Sequence, residues 1–173
     1  RHGVVVSAAL GINAIAVGEL TLGLALSLLR KVTELDASTR SGEWNRKAGV
    51  EITSKTWGML GFGATARALA RLLKGFDVTI LAYDPFAKLD PDFAKETNTK
   101  LASLDEVIAN SDIISLHMPA TPETTKIINK ERLGAMKPNA IIVNVGRGEL
   151  IDEEALEVAL KSKTIAAAAL DVR

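Results

Sequence analysis

The sequence contains no cysteine and only two histidines, His2 and His117. The lack of cysteine excludes disulfides, thiolate zinc sites and cysteine nucleophiles, and two histidines do not suffice for a histidine-rich metal site. We therefore expect no metal. The 21 basic and 21 acidic residues cancel, so the chain has no net charge to attract nucleic acid or an anionic membrane. We expect neither as a partner.

The length and composition are those of a single folded domain. The chain has 173 residues, of which 47% are hydrophobic and 24% are charged. These values are typical of one globular domain and not of a disordered chain. Because the first residue is Arg1 and not methionine, we expect the chain to be a fragment or a processed product.

An apolar run extends from Val4 to Leu29 and carries one charge, Glu19. Its length would suit a membrane span. However, Glu19 falls near the middle of the run, where a carboxylate costs roughly 2.5–3.5 kcal/mol. We therefore predict a long, buried N-terminal helix around Asn13–Leu29, and no membrane association.

Two stripes follow helical spacing within this run. One consists of small residues, which would let another backbone approach closely: Ala14, Gly18, Thr21 and Ala25. The other is more strongly apolar: Ile15, Leu22, Leu26 and Leu29. A helix that is apolar on most sides is buried all round. Part of this helix is thus expected to pack against a partner subunit or another domain.

Beyond a polar, irregular stretch at 39–55, short apolar runs alternate with helical patterns. Strands are predicted at 57–60, 78–83, near Lys100, and at 113–118, 140–145 and 165–172. Helices are predicted at 64–74, 103–110, 129–136 and 153–161. Continuously apolar strands are typical of a parallel sheet buried on both faces. With right-handed crossovers, this pattern predicts an α/β fold of the Rossmann type, a doubly wound parallel sheet with helices on both faces.

Several residues are predicted to begin or end these helices. A side-chain oxygen can cap a helix N-terminus, and glycine commonly follows a C-terminus. We predict Gly75 as the C-terminal cap of helix 64–74, and as N-terminal caps Asn13, Ser103, Asn129 and Asp152.

The segment Gly61-Phe62-Gly63-Ala64-Thr65-Ala66 fits the pattern G-x-G-x-x-G/A. Gly61 would permit the tight turn from strand to helix, and Gly63 would let a pyrophosphate approach the backbone. The helix N-terminus, including the N–H groups near Ala64 and Thr65, would bind the phosphates. Glycine-rich turns are common, but this one lies between a predicted strand and a predicted helix.

Asp84 ends the next predicted strand, 21 residues after Gly63. At that place a carboxylate would accept the ribose hydroxyls of a dinucleotide and would repel a 2′-phosphate. No arginine follows within several residues, although Lys88 is near. The spacing therefore favours NAD over NADP; the alternative is a solvated turn residue before Pro85.

Three later strands end on polar residues, at His117, at Asn144–Gly148 and at Asp171. Arg147 lies between two glycines and could hold a carboxylate with its planar fork and polarise a carbonyl; otherwise it is a surface loop arginine. His117 could donate a proton, although a structural or cofactor-contact role is the preferred interpretation. Asp171 could bond a nicotinamide amide or merely cap its strand.

At this point the residues resemble a known family. The chain is similar, over essentially all 173 residues, to the NAD-binding domain of the D-isomer-specific 2-hydroxyacid dehydrogenases. The glycine loop is generic, whereas the remaining segments together are specific: NAIAVGEL at 13–20, AYDP at 82–85, SDIISLHMP at 111–119 and NVGRGELIDEEAL at 144–156.

The resemblance implies the role of each candidate residue. Arg147 would be the catalytic arginine that binds the substrate carboxylate and carbonyl oxygen. The cofactor-binding residues would be Gly61, Gly63, Ala64, Thr65, Asp84, Pro85, His117, Pro119, Thr121, Val145, Gly146 and Asp171. The acid–base histidine and its glutamate would lie beyond Asp171 in the sequence, so His117 is not given that role. The helix at 13–29 would form a homodimer interface.

The chain also departs from the family pattern. Family members commonly have a basic residue, isoleucine and glycine where this chain has Ala64, Thr65 and Ala66, which would weaken phosphate contact. Arg173 replaces a usual aromatic residue.

Residues 1–173 are thus expected to form the dinucleotide-binding domain of a larger, two-domain cytoplasmic oxidoreductase. It would transfer a hydride between NAD and a small 2-hydroxy or 2-oxo acid. Phosphoglycerate is the preferred substrate, with glyoxylate, hydroxypyruvate and lactate as alternatives. Because the family also includes corepressors that bind nicotinamide cofactors, a non-catalytic, NAD(H)-sensing interaction module is the alternative function.

Overall fold

The computed structural model describes residues 3, 5, 7, 9 and 11–173. Val4, where the predicted apolar run begins, and His2 lie outside the described residues. Among those described, no helix has the length and hydrophobicity that a bilayer crossing requires.

Six parallel strands form one sheet in the order β3-β2-β1-β4-β5-β6. Their bounds are β1 Thr56–Leu60, β2 Thr79–Tyr83, β3 Thr99–Leu101, β4 Ile113–Leu116, β5 Ile141–Asn144 and β6 Ala167–Leu170. The strand order reverses between β1 and β4, which is where sheets of this type bind ligands. The predicted Rossmann-like α/β fold is confirmed.

Seven α-helices lie around the sheet in the described part of the chain. They are α1 Ala14–Leu29, α2 Val32–Arg40, α3 Ala64–Leu72, α4 Pro91–Thr97, α5 Leu104–Asn110, α6 Lys130–Ala135 and α7 Glu153–Lys161. Short 3-10 turns occupy Leu73–Phe76 and Gly148–Leu150. The helices α2 and α4 were not predicted.

Two apolar cores lie on opposite faces of the sheet, because successive strand residues point to opposite sides. In β1, Trp57 and Met59 belong to one core and Leu60 belongs to the other. The first core includes residues of α1, α3 and α4, and the second includes residues of α5, α6 and α7. Both faces of the sheet are therefore covered by helices.

Three of the predicted N-terminal caps form as expected. Ser103 makes a reciprocal capping box with Glu106, while Asn129 and Asp152 each accept a backbone N–H of the first turn. Asn13 precedes α1, but its side chain makes no capping hydrogen bond.

The predicted C-terminal cap at Gly75 is wrong. This residue lies inside the 3-10 turn that extends α3, and the left-handed conformation is adopted by Asp77, with φ of 51°. The 3-10 turn ends at Phe76, two residues beyond the predicted end of the helix at residue 74.

The small-residue stripe of α1 packs on α3. Ala14, Gly18, Thr21 and Ala25 are its buried residues. A Cβ atom at Gly18 would lie 3.1 Å from the backbone nitrogen of Leu69. The two helix backbones therefore approach closely through residues that lack bulk, and the contact is made within the chain.

Candidate functional site

All the predicted site residues follow the carboxyl ends of strands. The glycine loop follows β1, Asp84 follows β2, His117 follows β4, Arg147 follows β5 and Asp171 follows β6. Since the strands are parallel, these ends share one edge of the sheet. The fold therefore brings together residues that lie more than 100 positions apart.

Gly61 connects β1 to the rest of the site. Its amide donates to the carbonyl of Tyr83 at 2.8 Å, and its φ of 89° favours glycine. A Cβ atom there would lie 2.8 Å from the amide nitrogen of Met118. The turn after β1 thus packs directly against the backbone of the segment that follows β4.

Gly63 precedes α3 and is exposed. A Cβ atom there would meet nothing within 4 Å, and no described side chain caps the helix. Ala64 is exposed, Thr65 is half-buried and Ala66 is fully buried. The start of α3 therefore offers uncapped N–H groups and open space, which fit a pyrophosphate.

Asp84 ties two loops together through its carboxylate. One oxygen, Oδ2, accepts the amide of Phe62 in the glycine loop at 2.8 Å. The other, Oδ1, accepts the amides of Phe86 at 2.9 Å and Ala87 at 3.1 Å. Pro85, which lies between Asp84 and Phe86, is exposed. The carboxylate therefore has a fixed position at the end of β2, beside the glycine loop.

A polar chain runs beneath the reversal point of the sheet. The hydroxyl of Ser115 lies 2.8 Å from Nε1 of Trp57 and 2.8 Å from Nε2 of His117. An indole can only donate, so the Ser115 oxygen accepts from Trp57, and the Ser115 hydroxyl can donate to Nε2 of His117 or to the carbonyl of Gly58. The carbonyl of Gly58, at 3.4 Å, is a poorer acceptor.

The His117 imidazole is neutral in this arrangement. If Nε2 accepts from Ser115, the ring proton lies on Nδ1; if Nε2 donates to Ser115, Nδ1 is an acceptor. Burial lowers the pKa of His117 to about 4, which keeps the ring neutral. Nδ1 is buried and has no hydrogen-bond partner among the described residues. An unpaired buried ring nitrogen beside the glycine loop is consistent with a site that is completed by a ligand.

The segment after His117 forms a compact turn. The amide of Thr121 donates to the hydroxyl of Thr124 at 2.7 Å, and that hydroxyl donates to the carbonyl of Pro119 at 2.7 Å. Pro119 is exposed and Thr121 is half-buried. This turn forms part of the edge that carries the glycine loop.

Arg147 is exposed on the turn that follows β5, where its guanidinium donates to the carbonyl of Gly146 at 2.7 Å. A Cβ atom at Gly146 would lie 3.0 Å from the carbonyl oxygen of Met118, while Val145 is half-buried. Asp171 is exposed, and its amide donates to the carbonyl of Asn144 at 2.9 Å. The ends of β4, β5 and β6 are thus joined.

Sequence reasoning missed three residues that shape this edge: Trp57, Ser115 and Asn144. Trp57 and Ser115 occupy apolar strands, and only their pairing across the sheet shows a polar function. The bond made by Asn144 could have been predicted from the sequence, because an asparagine side chain commonly accepts a hydrogen bond from the backbone amide two residues later. Here that residue is Gly146.

The family model that matches residues 22–173 is described as the D-isomer specific 2-hydroxyacid dehydrogenase, NAD binding domain. The chain belongs to this family. It is thus an NAD-binding domain, and the exposed start of α3 and the fixed carboxylate of Asp84 fit NAD.

Three relatives illustrate the similarity. The chain is 42% identical to a D-3-phosphoglycerate dehydrogenase of Methanocaldococcus jannaschii, over 99% of this chain and 33% of the relative. It is 40% identical to a glyoxylate reductase of Thermofilum pendens, over 99% of this chain and 52% of that protein. The crystal structure of D-lactate dehydrogenase with NAD+ from Lactobacillus jensenii matches at 34% identity and a TM-score of 0.82, over 92% of this chain and 48% of that one.

The chain therefore spans between a third and about half of the length of these relatives.

Proposed function

We propose that the domain serves an NAD-dependent oxidoreductase that interconverts a D-2-hydroxy acid and its 2-oxo acid. The observation that carries this proposal is the position of Arg147. Its exposed guanidinium lies on the turn after β5, at the edge that holds Asp84 and the glycine loop. A planar cation there can hold a substrate carboxylate beside a bound dinucleotide.

Each residue at the edge has one task in this proposal. Asp84 holds the adenosine ribose, and the amides at the start of α3 hold the pyrophosphate. Val145, Gly146 and Asp171 border the nicotinamide. Pro85, His117, Pro119 and Thr121 border the rest of the cofactor. Bound NAD supplies the acceptor for a hydride from the hydroxyl-bearing carbon.

Arg147 orients the acid through its carboxylate and stabilises charge on the oxygen of the reacting carbon. The hydroxyl proton passes to the histidine that the resemblance implies beyond Asp171. His117 is unsuited to that task, because burial holds its pKa near 4 and its Nε2 is bonded to Ser115. It is a structural and cofactor-contact residue in this proposal.

We propose phosphoglycerate as the substrate, with glyoxylate, hydroxypyruvate and lactate as alternatives. The relative of 42% identity is named D-3-phosphoglycerate dehydrogenase, which supports this order. Residues 1–173 would act as one dinucleotide-binding domain beside a substrate domain, and the greater length of the relatives agrees with that division. A cytoplasmic location remains a prediction.

We also propose a homodimer that forms through α1. The side of α1 that does not face α3 leaves apolar residues in solvent: Ile15 is 66% exposed and Leu20 is 41% exposed. Exposed apolar residues grouped on one helix are typical of a protein interface.

Calorimetric titration of the chain with NADH tests the cofactor assignment, and saturable binding is the expected result. In the full-length protein, two assays test the reaction: oxidation of phosphoglycerate and lactate with NAD, and reduction of glyoxylate and hydroxypyruvate with NADH. Arg147→Ala should lower kcat/KM at least about a hundredfold, because the bidentate carboxylate contact is lost. Arg40→Ala, on the exposed end of α2, is the matched control. An unchanged kcat/KM for Arg147→Ala would remove this residue from the site.

A further inference from the structure

Asn144 is the last residue of β5 and is 1% exposed. Its side chain points into the turn that carries Arg147 and not into solvent. Oδ1 accepts the amide of Gly146 at 3.1 Å, and Nδ2 donates to the carbonyl of Arg147 at 2.8 Å. One side chain therefore satisfies a backbone donor and a backbone acceptor on the same three-residue turn.

This pairing requires an amide. The two contacts need one acceptor and one donor at the same branch point, and only asparagine offers both at that reach. Aspartate would keep the bond to Gly146 but would place a carboxylate oxygen against the carbonyl of Arg147. Serine would be too short to reach Arg147. The two hydrogen bonds to this turn thus require asparagine at position 144.

The same residue also connects Arg147 to Asp171. The backbone carbonyl of Asn144 accepts the amide of Asp171 at 2.9 Å, and Asn144 pairs with Leu116 and Leu170 in the neighbouring strands. Its main chain is therefore fixed by the strands on both sides of β5, while its side chain fixes the turn.

We propose that Asn144 is the positioning residue for Arg147. This inference rests on the proposed function for its kinetic consequence, but its structural basis is independent of activity. The amide holds the backbone of Arg147, at φ of −146° and ψ of 146°, so that the exposed guanidinium is presented from a fixed Cα. A displacement of about 1 Å at a group that binds the reacting substrate can cost about a hundredfold in rate.

The kinetic test uses the full-length protein with Asn144→Asp, alone and combined with Arg147→Ala. Alone, the substitution should lower kcat/KM for the 2-oxo acid about 10–100-fold and leave the Kd for NADH within about threefold. In the Arg147→Ala background it should cost less than about twofold, because the group that it positions is gone. Equal losses in both backgrounds, or no loss in either, would overturn the proposal.

Asn129→Asp is the matched control. Asn129 accepts the amide of Arg132 at 3.0 Å and uses only its oxygen, so this exchange removes no required donor. Its kcat/KM should equal that of the unsubstituted protein. If Asn144→Asp fails to fold, Asn144→Ser provides the same comparison, since it also loses the contact with Arg147.

A readout without activity separates this inference from the proposed function. Trypsin can cleave after the exposed Arg147, and a loosened turn should be cleaved faster. Asn144→Asp should raise the rate of cleavage between Arg147 and Gly148 at least about fivefold, and Asn129→Asp should not. An unchanged rate would overturn the proposal. Faster cleavage in a protein that shows no turnover of any 2-oxo acid would support it and would refute the proposed function instead.

Discussion

Ser115 and His117 lie two residues apart at the end of β4, and the hydroxyl of the first is 2.8 Å from Nε2 of the second. Ser115 also accepts from the buried indole of Trp57 in β1. The two strands that flank the reversal of the sheet are thus joined by side chains as well as by backbone. The imidazole is held neutral, as burial lowers its pKa to about 4.

This neutral ring should make stability depend on pH. The unfolded state has the ordinary histidine pKa near 6.5, so between about pH 6.5 and pH 4 it binds more protons than the folded state. The free energy of unfolding should therefore fall as the pH falls through this range, by up to about 3 kcal/mol from His117. Urea unfolding followed by circular dichroism at pH 7 and pH 5 measures the difference.

His117→Gln should remove most of that histidine-dependent loss, because glutamine does not titrate. His2→Gln is the control with the other histidine of the chain, and it should keep the full dependence on pH. An equal loss of stability in His117→Gln and in the unsubstituted chain would show that His117 is not the titrating group.

Asp84→Ala should weaken NADH binding at least about tenfold. The carboxylate both offers oxygens to the ribose and fixes the amides of Phe62 and Phe86, and hydrogen bonds to a charged group are each worth about 1.5–3 kcal/mol. The affinity for NADPH should fall less than the affinity for NADH, because the substitution also removes the repulsion between the Asp84 carboxylate and the 2′-phosphate of NADPH. Calorimetric titration with both cofactors measures the two affinities, and Asp92→Ala, at an exposed position of α4, is the control. An unaltered preference for NADH would contradict the assignment of Asp84.

Gly18→Val should destabilise the fold by about 1–3 kcal/mol. The added side chain would press on the backbone of Leu69, and overpacking of this size typically costs that much. Gly23 provides the comparison within the same helix, since a Cβ atom there would meet nothing within 4 Å. Gly23→Val should be neutral or slightly stabilising in thermal and urea unfolding, because valine has the higher helix propensity. Equal effects of the two substitutions would argue against close packing of α1 on α3.

Ile15→Glu should convert a dimer into monomers. The substitution places a charge on the exposed apolar side of α1, where the proposed subunit contact would have to desolvate it. Val158→Glu on α7 is the matched control, because Val158 is 62% exposed, close to the 66% of Ile15. Sedimentation equilibrium should show monomers for the first variant alone. Dimers that persist in Ile15→Glu would place the contact elsewhere.

The core of the fold could be predicted from the sequence because its signals are local. Apolar runs bounded by glycine or proline marked the strands, and the spacing from Ser103 to Glu106 marked a capping box that the structure contains. Two helices were not predicted. The helix α2 has no buried residue, so no apolar face could mark it. The seven-residue α4 begins on Asp90-Pro91 within a polar stretch and is too short to show a period.

The site was predictable in position but not in its internal bonding. The glycine loop, Asp84 and Arg147 each follow a strand, and parallel topology alone places them at one edge. The role of Ser115 depends on its facing Trp57 across the sheet, at a separation that no local spacing records. Asn144 differs, because its side chain bonds the nearby backbone of Gly146 and Arg147. The close contact of Gly61 with the backbone of Met118 likewise joins residues that lie far apart in the sequence, so local spacing does not predict it.

The bond from Trp57 to Ser115 gives the domain an internal optical probe. Trp57 is fully buried and is linked through Ser115 to His117 at the edge that carries the glycine loop, whereas the second tryptophan, Trp44, is 77% exposed. A buried indole emits at shorter wavelengths than a solvated one, so the emission spectrum separates the two. Changes at the cofactor edge can thus be followed in the blue part of the spectrum, without any label.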